Sequence, residues 1–414
     1  PSQISLRQAR GLQIGSVLGL LLIFALAFGQ SAAFQWKFLH SLSNIYPIGF
    51  ATAIGEYRQE MQKIIRQQDA LQQFQFGIQA QPLSDQVETI VLVIGESSRF
   101  SNWQINGYHR PTNPFLSKRE HLLSYTDTWS EASLTRLSVP MMITRGHVED
   151  FQTSFREKSL IGAFQEAGYR TYWVSNQHKV EAFQGVTPIT AHALMADSTI
   201  FVNEGLQSGH DAKLLPALEG ILREPDQRRF IIVHMMGSHY KYGERYPASF
   251  DHFQPSSQNL VLSFDDRDKI QHLINAYDNS ILYTDFVLDQ IISQVEASSG
   301  ESLLLYASDH GENLADDERA LIMHFDPPTY YSVHIPMIFW ANPIWRKTHP
   351  QQWQQLMTHQ HCPINTASIF HSMLSLANVG FPELDQSQCL DQTGFQVFPR
   401  KVRSMDGQII ELKP

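Results

Sequence analysis

The run TIVLVIG at 89–95 is apolar at consecutive rather than alternate positions. Side chains of a strand point to opposite faces in turn, so this run is buried on both faces and needs a covering layer on each side. That requirement points to an α/β architecture. Four more short runs share the pattern, RTYWVSN (170–176), RFIIVHM (229–235), SLLLYAS (302–308) and HIPMIFWA (334–341), each bounded by turn-forming residues. Helical periodicity fills the intervals, in SLIGAFQEAG ending at Gly168, in AKLLPALEGIL and in the long DKIQHLINAYDNSILYTDFVLDQIISQV. No internal repeat is visible.

The first 85 residues read differently. The stretch LQIGSVLGLLLIFALAFG (12–29) is uncharged and almost wholly apolar, about the ~18 residues that cross a bilayer. A buried core helix and a cleaved signal peptide are the alternatives, but no polar stripe is present and Ser31-Ala32-Ala33 is a weak cleavage site. Arg7 and Arg10 precede the stretch, which places Pro1 in the cytoplasm and everything after Gln30 outside. The chain starts without a methionine, so residues 1–33 are read as a transmembrane segment closing a longer membrane domain. Residues 34–85 then form an amphipathic interfacial connector, with Trp36, Phe38, Tyr46 and Phe50 at the membrane surface and a Gln-rich helical run behind them. The catalytic domain is expected over 86–414.

A formal charge of −10 argues against nucleic acid as a partner, because the basic face that neutralises phosphates is missing. The two cysteines, Cys362 and Cys389, belong to no thiolate cluster of the structural zinc type. In an oxidising compartment they would close a C-terminal loop; otherwise they are separate thiols.

In open α/β sheets ligands bind where the strand C-termini converge, so polar residues just after buried strands carry the chemistry. One strand ends in Gly95-Glu96-Ser97-Ser98. A second carries His234 and leads into Met235-Met236-Gly237-Ser238-His239, and a third leads into Ser308-Asp309-His310-Gly311-Glu312. One acid after a strand is commonly a helix cap. Three such ends, with two carboxylates and up to three imidazoles, make a mixed oxygen and nitrogen set that suits Zn²⁺ better than Ca²⁺ or Mg²⁺. Spacing alone does not choose a nucleophile among the abundant hydroxyls.

The segments VLVIGESSRFSNWQINGYHRPTNP, SLTRLSVPMM, VHMMGSHYKYGERYP, NAYDNSILYTDFVLDQII and YASDHGENL resemble, in order and separation, bacterial phosphoethanolamine transferases of the alkaline phosphatase and sulfatase superfamily. The likeness runs from about residue 86 to 380 and is nearest to members that modify lipopolysaccharide core sugars. It implies a mixed, mostly parallel central sheet flanked by helices, an inner-membrane protein with its catalytic domain in the periplasm, and one or two zinc ions. It also implies phosphatidylethanolamine as donor and lipopolysaccharide, on a core sugar or lipid A, as acceptor.

Carried over motif by motif, Thr135 matches the family nucleophile, and Glu96, Asp309 and His310 match the ligands that hold zinc beside it. His234, His239 and His324 fall where the family binds the substrate phosphate or a second metal. Glu312 is expected to orient a ligand imidazole. Asn176 and Gln177 resemble pocket residues, and Asn106, Tyr108 and Thr112 are further candidates for shaping the pocket. Thr135 also suits the cap of the helix beginning near Arg136, a role compatible with attack.

Two departures stand out. Leu134 occupies a position where many relatives carry a cysteine, and Asn313 replaces the serine of the usual Asp-His-Gly-Glu-Ser motif. A sulfatase is disfavoured because Ser138-Val139-Pro140-Met141-Met142 has methionine where the formylglycine motif needs arginine. A glycerol-phosphate transferase of lipid-linked polymer synthesis shares the anchor and the metal-bound threonine, and stays open. In either transferase, metal coordination would turn a poor hydroxyl nucleophile into a competent one.

Overall fold

The computed structural model describes residues 71, 73–79, 87–178, 188–203, 209–256, 269–324 and 327–412. The expected membrane span over 12–29 and most of the connector lie outside the described residues. Among the described residues no helix is long and apolar enough to cross a membrane.

Eight strands make the central sheet: β1 (Glu88–Gly95), β2 (Leu123–Trp129), β3 (Arg170–Ser175), β4 (Ser198–Phe201), β5 (Arg228–His234), β6 (Glu301–Ser308), β7 (His334–Ala341) and β8 (Ile364–Asn365). Their order is β8-β2-β7-β6-β1-β5-β3-β4. β7 pairs antiparallel with both β2 and β6, and every other pairing is parallel. The sheet is therefore mixed and mostly parallel, with one reversed strand.

The consecutive apolar run of β1 has the consequence its pattern demands. Ile90, Leu92 and Ile94 enter one hydrophobic core and Val91 and Val93 the other, all fully buried. The first core is covered by α1 (Thr135–Ile143), α2 (Leu160–Glu166) and, later in the chain, the helix Ser368–Leu376. The second is covered by α3 (Leu214–Leu222) and α4 (Ile270–Glu296), whose Ala276, Ile281, Leu288 and Ile292 recur at helical spacing on one buried face. Each buried Ile, Leu or Val contributes roughly 1.5–3 kcal/mol of transfer free energy, so this three-layer packing is the main source of stability.

The last stretch of the expected connector packs on this domain. Phe76 meets Phe370 and Phe381, and the carboxylate of Glu166 accepts from the Phe76 and Ile78 amides at 3.1 and 3.3 Å. Of the two alternatives for the cysteines, separate thiols hold: Cys362 and Cys389 are both free. Cys389 is buried with its Sγ near the Asp385 and His371 carbonyl oxygens, and burial pushes its thiol up to about 12.

The topology fixes where chemistry can occur. β1, β2, β3, β5 and β6 run the same way, so their C-termini reach one edge together, with the start of the reversed β7 between them.

Candidate active site

At that edge Glu96 follows β1, Asp309 and His310 follow β6, and Thr135 opens α1 shortly after β2. One ligand atom from each of Glu96, Asp309 and His310 lies within 4.8 Å of the others, and all three residues are buried. His310 Nε2 is 3.4 Å from Glu96 Oε1 and 3.5 Å from Asp309 Oδ2. Thr135 Oγ1 donates to Glu96 Oε2 at 3.1 Å and lies 3.2 Å from His310 Nε2.

Local contacts aim these groups. Asp309 Oδ1 accepts from the amides of Ser97 and His310 at 3.1 and 2.7 Å, leaving Oδ2 buried without a hydrogen-bond partner. His310 Nδ1 faces the Gly311 carbonyl oxygen at 2.8 Å; an N–H must make that contact, which turns Nε2 toward the carboxylates. Ser97 Oγ donates to Glu96 Oε1 at 2.6 Å, and Ser97 holds a left-handed backbone, φ 54°, unusual for a residue with a Cβ. Ser130 Oγ donates to the Asp309 carbonyl oxygen, tying the end of β2 to the end of β6.

The three buried groups shift one another's proton affinity. Burial, then the neighbouring Glu96, pushes the Asp309 carboxyl up to about 7. Glu96 is held low despite burial by its contacts with His310. His310 resists burial and is raised to about 10 by Asp309 and Glu96. A tetrahedral zinc site with bonds of about 2.0–2.2 Å has ligand-to-ligand edges of about 3.3–3.6 Å. The His310 Nε2 separations from Glu96 Oε1 and Asp309 Oδ2, 3.4 and 3.5 Å, fall within that range, those of Thr135 Oγ1 from Glu96 Oε2 and His310 Nε2, 3.1 and 3.2 Å, lie just below it, and the unpartnered Asp309 Oδ2 is the free lone pair such an ion would take. The residues present therefore fit zinc.

The other expected residues divide in two. His324 belongs with the group: its ring centroid is 4.2 Å from that of His310, and Glu312 Oε1 lies 3.3 Å from its Nδ1. Glu312 thus meets the imidazole of His324, while the carbonyl of Gly311 orients His310. Gln177 also belongs, reaching Glu96 Oε2 at 3.3 Å and the Met235 carbonyl oxygen at 2.8 Å. His234 ends β5 beside β1, buried, with Nε2 unpartnered, and burial pushes it down to about 4 although Glu96 opposes this. His239 is exposed, its Nδ1 2.6 Å from the Tyr240 carbonyl oxygen.

Asn176, Asn106, Tyr108 and Thr112 make structural contacts instead. Asn176 Nδ2 donates to Asp211 Oδ1 at 2.8 Å, Asn106 accepts from Ser124, Tyr108 donates to Asp278 of α4, and Thr112 donates to the Asn102 carbonyl oxygen. The last two brace the long loop that follows Glu96.

Three contributors were missed in the sequence. Buried Asp211 accepts from the amides of Met236 and Gly237, each at 2.8 Å, and so shapes the loop that carries His239. Gly237, at φ +49°, passes so close to Glu96 that a Cβ would lie 2.6 Å from the Glu96 carbonyl oxygen. Arg99 Nη1 bonds both oxygens of Asp316 at 2.7 Å, fastening the loop after Glu96 to the hairpin of Asn313–Leu314 and Ile322–Met323 that leads to His324. Only the glycine left a signal, as a Met-Met-Gly-Ser turn at a strand end. Asn313, the departure noted in the sequence, pins this hairpin by donating to the Met323 carbonyl oxygen and accepting from Thr329.

The sulfatase family model matches residues 88–379. Phosphoethanolamine transferase EptC of Escherichia coli K12 is 26% identical over 363 residues, covering 84% of this chain and 61% of that protein. The chain thus spans about three fifths of the length of this curated relative. The zinc complex of the C-terminal periplasmic domain of EcEptC from Escherichia coli superposes with a TM-score of 0.71 at 25% identity, over 80% of this chain and 96% of that one. The integral membrane lipooligosaccharide phosphoethanolamine transferase A of Neisseria meningitidis shares the fold, with a TM-score of 0.65 at 22% identity over 94% of this chain and 73% of that one.

Proposed function

The chain belongs to the sulfatase family, and from that premise we propose that it is the catalytic part of a zinc-dependent phosphoethanolamine transferase. Its donor is phosphatidylethanolamine and its acceptor is lipopolysaccharide, on a core sugar or lipid A. The observation that carries this reading is the position of Thr135, whose hydroxyl is shared between Glu96 and His310 at the first residue of a buried helix.

Zinc held by Glu96, Asp309, His310 and Thr135 would act as a Lewis acid, favouring the threonine alkoxide and neutralising charge on the phosphoryl oxygens. The Thr135 oxygen attacks phosphorus, the bond from phosphorus to the glycerol oxygen breaks, and diacylglycerol leaves after its oxygen takes up a proton. The phosphoethanolamine group then passes from Thr135 to an acceptor hydroxyl or phosphate, restoring the free threonine.

The surrounding residues suit these steps. Leu134 at the N-cap makes no side-chain cap, so the first amides of α1 can donate to phosphoryl oxygens. In this reading exposed His239 protonates the leaving oxygen, and His324, whose ring lies against that of His310, contacts the transferred group. Buried His234, depressed to about 4, offers a neutral imidazole. Gln177 steadies the Glu96 oxygen nearest Thr135. Anchorage in the bacterial inner membrane with a periplasmic catalytic domain fits two lipid substrates, and the apolar run 12–29 supports it.

Incubation with head-group-labelled phosphatidylethanolamine or phosphatidylglycerol separates this reading from glycerol-phosphate transfer. Label carried over from the ethanolamine lipid supports it, and label from the glycerol lipid alone overturns it. Mass spectrometry of lipopolysaccharide from cells with and without the gene identifies the acceptor.

A further inference from the structure

Arg145, His147, Val148 and Glu149, which follow α1, line part of a partly open cavity of about 220 Å³. Glu131, in the turn after β2, lines it and is only 2% exposed. Its carboxyl group accepts from the Val148 amide, but Oε2 has no hydrogen-bond partner. A buried polar atom without a partner is destabilising, and one that lines a cavity is open to completion by a bound molecule. The space is many times the ~10–15 Å³ that one water occupies.

The charges around the cavity are already committed. Arg145 is bidentate to Glu157 at 2.7 and 2.8 Å, with its guanidinium 5.8 Å from the Phe76 ring and 5.6 Å from Phe381. Lys401 pairs with Glu149, and His147 Nδ1 accepts from the Glu149 amide at 3.3 Å. His371 is kept neutral by burial, which pushes it down to about 4. With the two ion pairs self-compensated, Glu131 is the buried carboxyl group left for a ligand to satisfy. The apolar part of the lining is formed by Val148, Ala367, Phe398 and Pro399.

We propose that this cavity binds a small primary ammonium ion, its N–H groups on Glu131 Oε2 and its short carbon chain against Phe398 and its apolar neighbours. A charged N–H donor is the partner that gains most from a desolvated carboxylate. Burial pushes Glu131 up to about 8 in the empty cavity, so at neutral pH the incoming ammonium displaces a proton. The site shares no residue with the Thr135 group and does not depend on the transfer reaction.

The test is calorimetric titration of the zinc-loaded full chain with ethylammonium chloride at pH 7, in two buffers of different ionisation enthalpy. Saturable binding with net proton release is expected, and weakening by ~10-fold or more in Glu131→Gln. Ala367→Met, which keeps the carboxyl group but fills the space, should weaken binding as well, and thermal melts check that both variants fold. Tetramethylammonium, without N–H groups, should bind far more weakly. No saturable binding to the folded wild type, equal affinity in Glu131→Gln, or equal binding of tetramethylammonium would each overturn the proposal.

Discussion

Two buried carboxylate sites near α1 handle charge in opposite ways. At its N-terminus Glu96, Asp309 and His310 sit within 4.8 Å of one another, and each shifts its neighbours' proton affinity. In the cavity lined in part by residues 145 and 147–149, which follow α1, Glu131 stands apart from the cations around it, which are paired elsewhere, and burial is the largest influence on its proton affinity. A cluster of opposed charges creates a strong demand for one divalent ion in one geometry. A lone buried carboxyl group creates a weaker demand that a monovalent donor can meet.

Breaking the N-terminal site should have the larger consequences. Thr135→Ala is expected to slow diacylglycerol release by about 10³-fold or more while Glu96, Asp309 and His310 still retain zinc at saturating metal, measured by atomic spectroscopy. Asp309→Asn removes one charge from the ligand set and should weaken zinc binding by about 100-fold, read by competition with a chromogenic chelator. Neither change should alter ethylammonium binding at Glu131.

Smaller effects sharpen the contrast. Gly237→Ala forces a Cβ toward the Glu96 carbonyl oxygen at positive φ, and should cost about 1–3 kcal/mol in urea unfolding together with activity. The pH dependence at Glu131 has a defined sign. Its folded value of about 8 lies above its ordinary value of 4.5, so between those limits the folded chain holds a proton that the unfolded chain releases. Wild-type stability on this account falls as pH rises from 4.5 toward 8, whereas Glu131→Gln lacks the slope. The Tm of the variant relative to wild type should therefore rise across that range, by about 2 °C or more, and parallel curves would contradict it.

The sequence was legible where one physical rule acts along consecutive residues. The runs that became β1, β3, β5, β6 and β7 announced themselves by continuous apolar character, and the polar residues after them gave Glu96, Asp309 and His310 directly. β2 was missed because Asp127, drawn toward Arg400, interrupts its apolar alternation, and β8 because two residues carry no period. Thr135 was distinguishable from neighbouring hydroxyls only through the family resemblance. Asp211, Arg99 and Glu131 were illegible for a different reason: their roles arise from partners 25, 217 and 17 residues away, or from having no partner at all. Gln177 and Asn176 are adjacent, and only the fold reveals that one reaches Glu96 while the other braces Asp211.

The central claim is that Thr135 carries the transferred group. Peptide mapping by mass spectrometry, after incubating the zinc-loaded full chain with phosphatidylethanolamine and no acceptor, tests it directly. The account predicts one phosphoethanolamine group esterified to Thr135, retained in Thr135→Ser and absent in Thr135→Ala. An adduct on another residue, or the same adduct yield in Thr135→Ala, would contradict it.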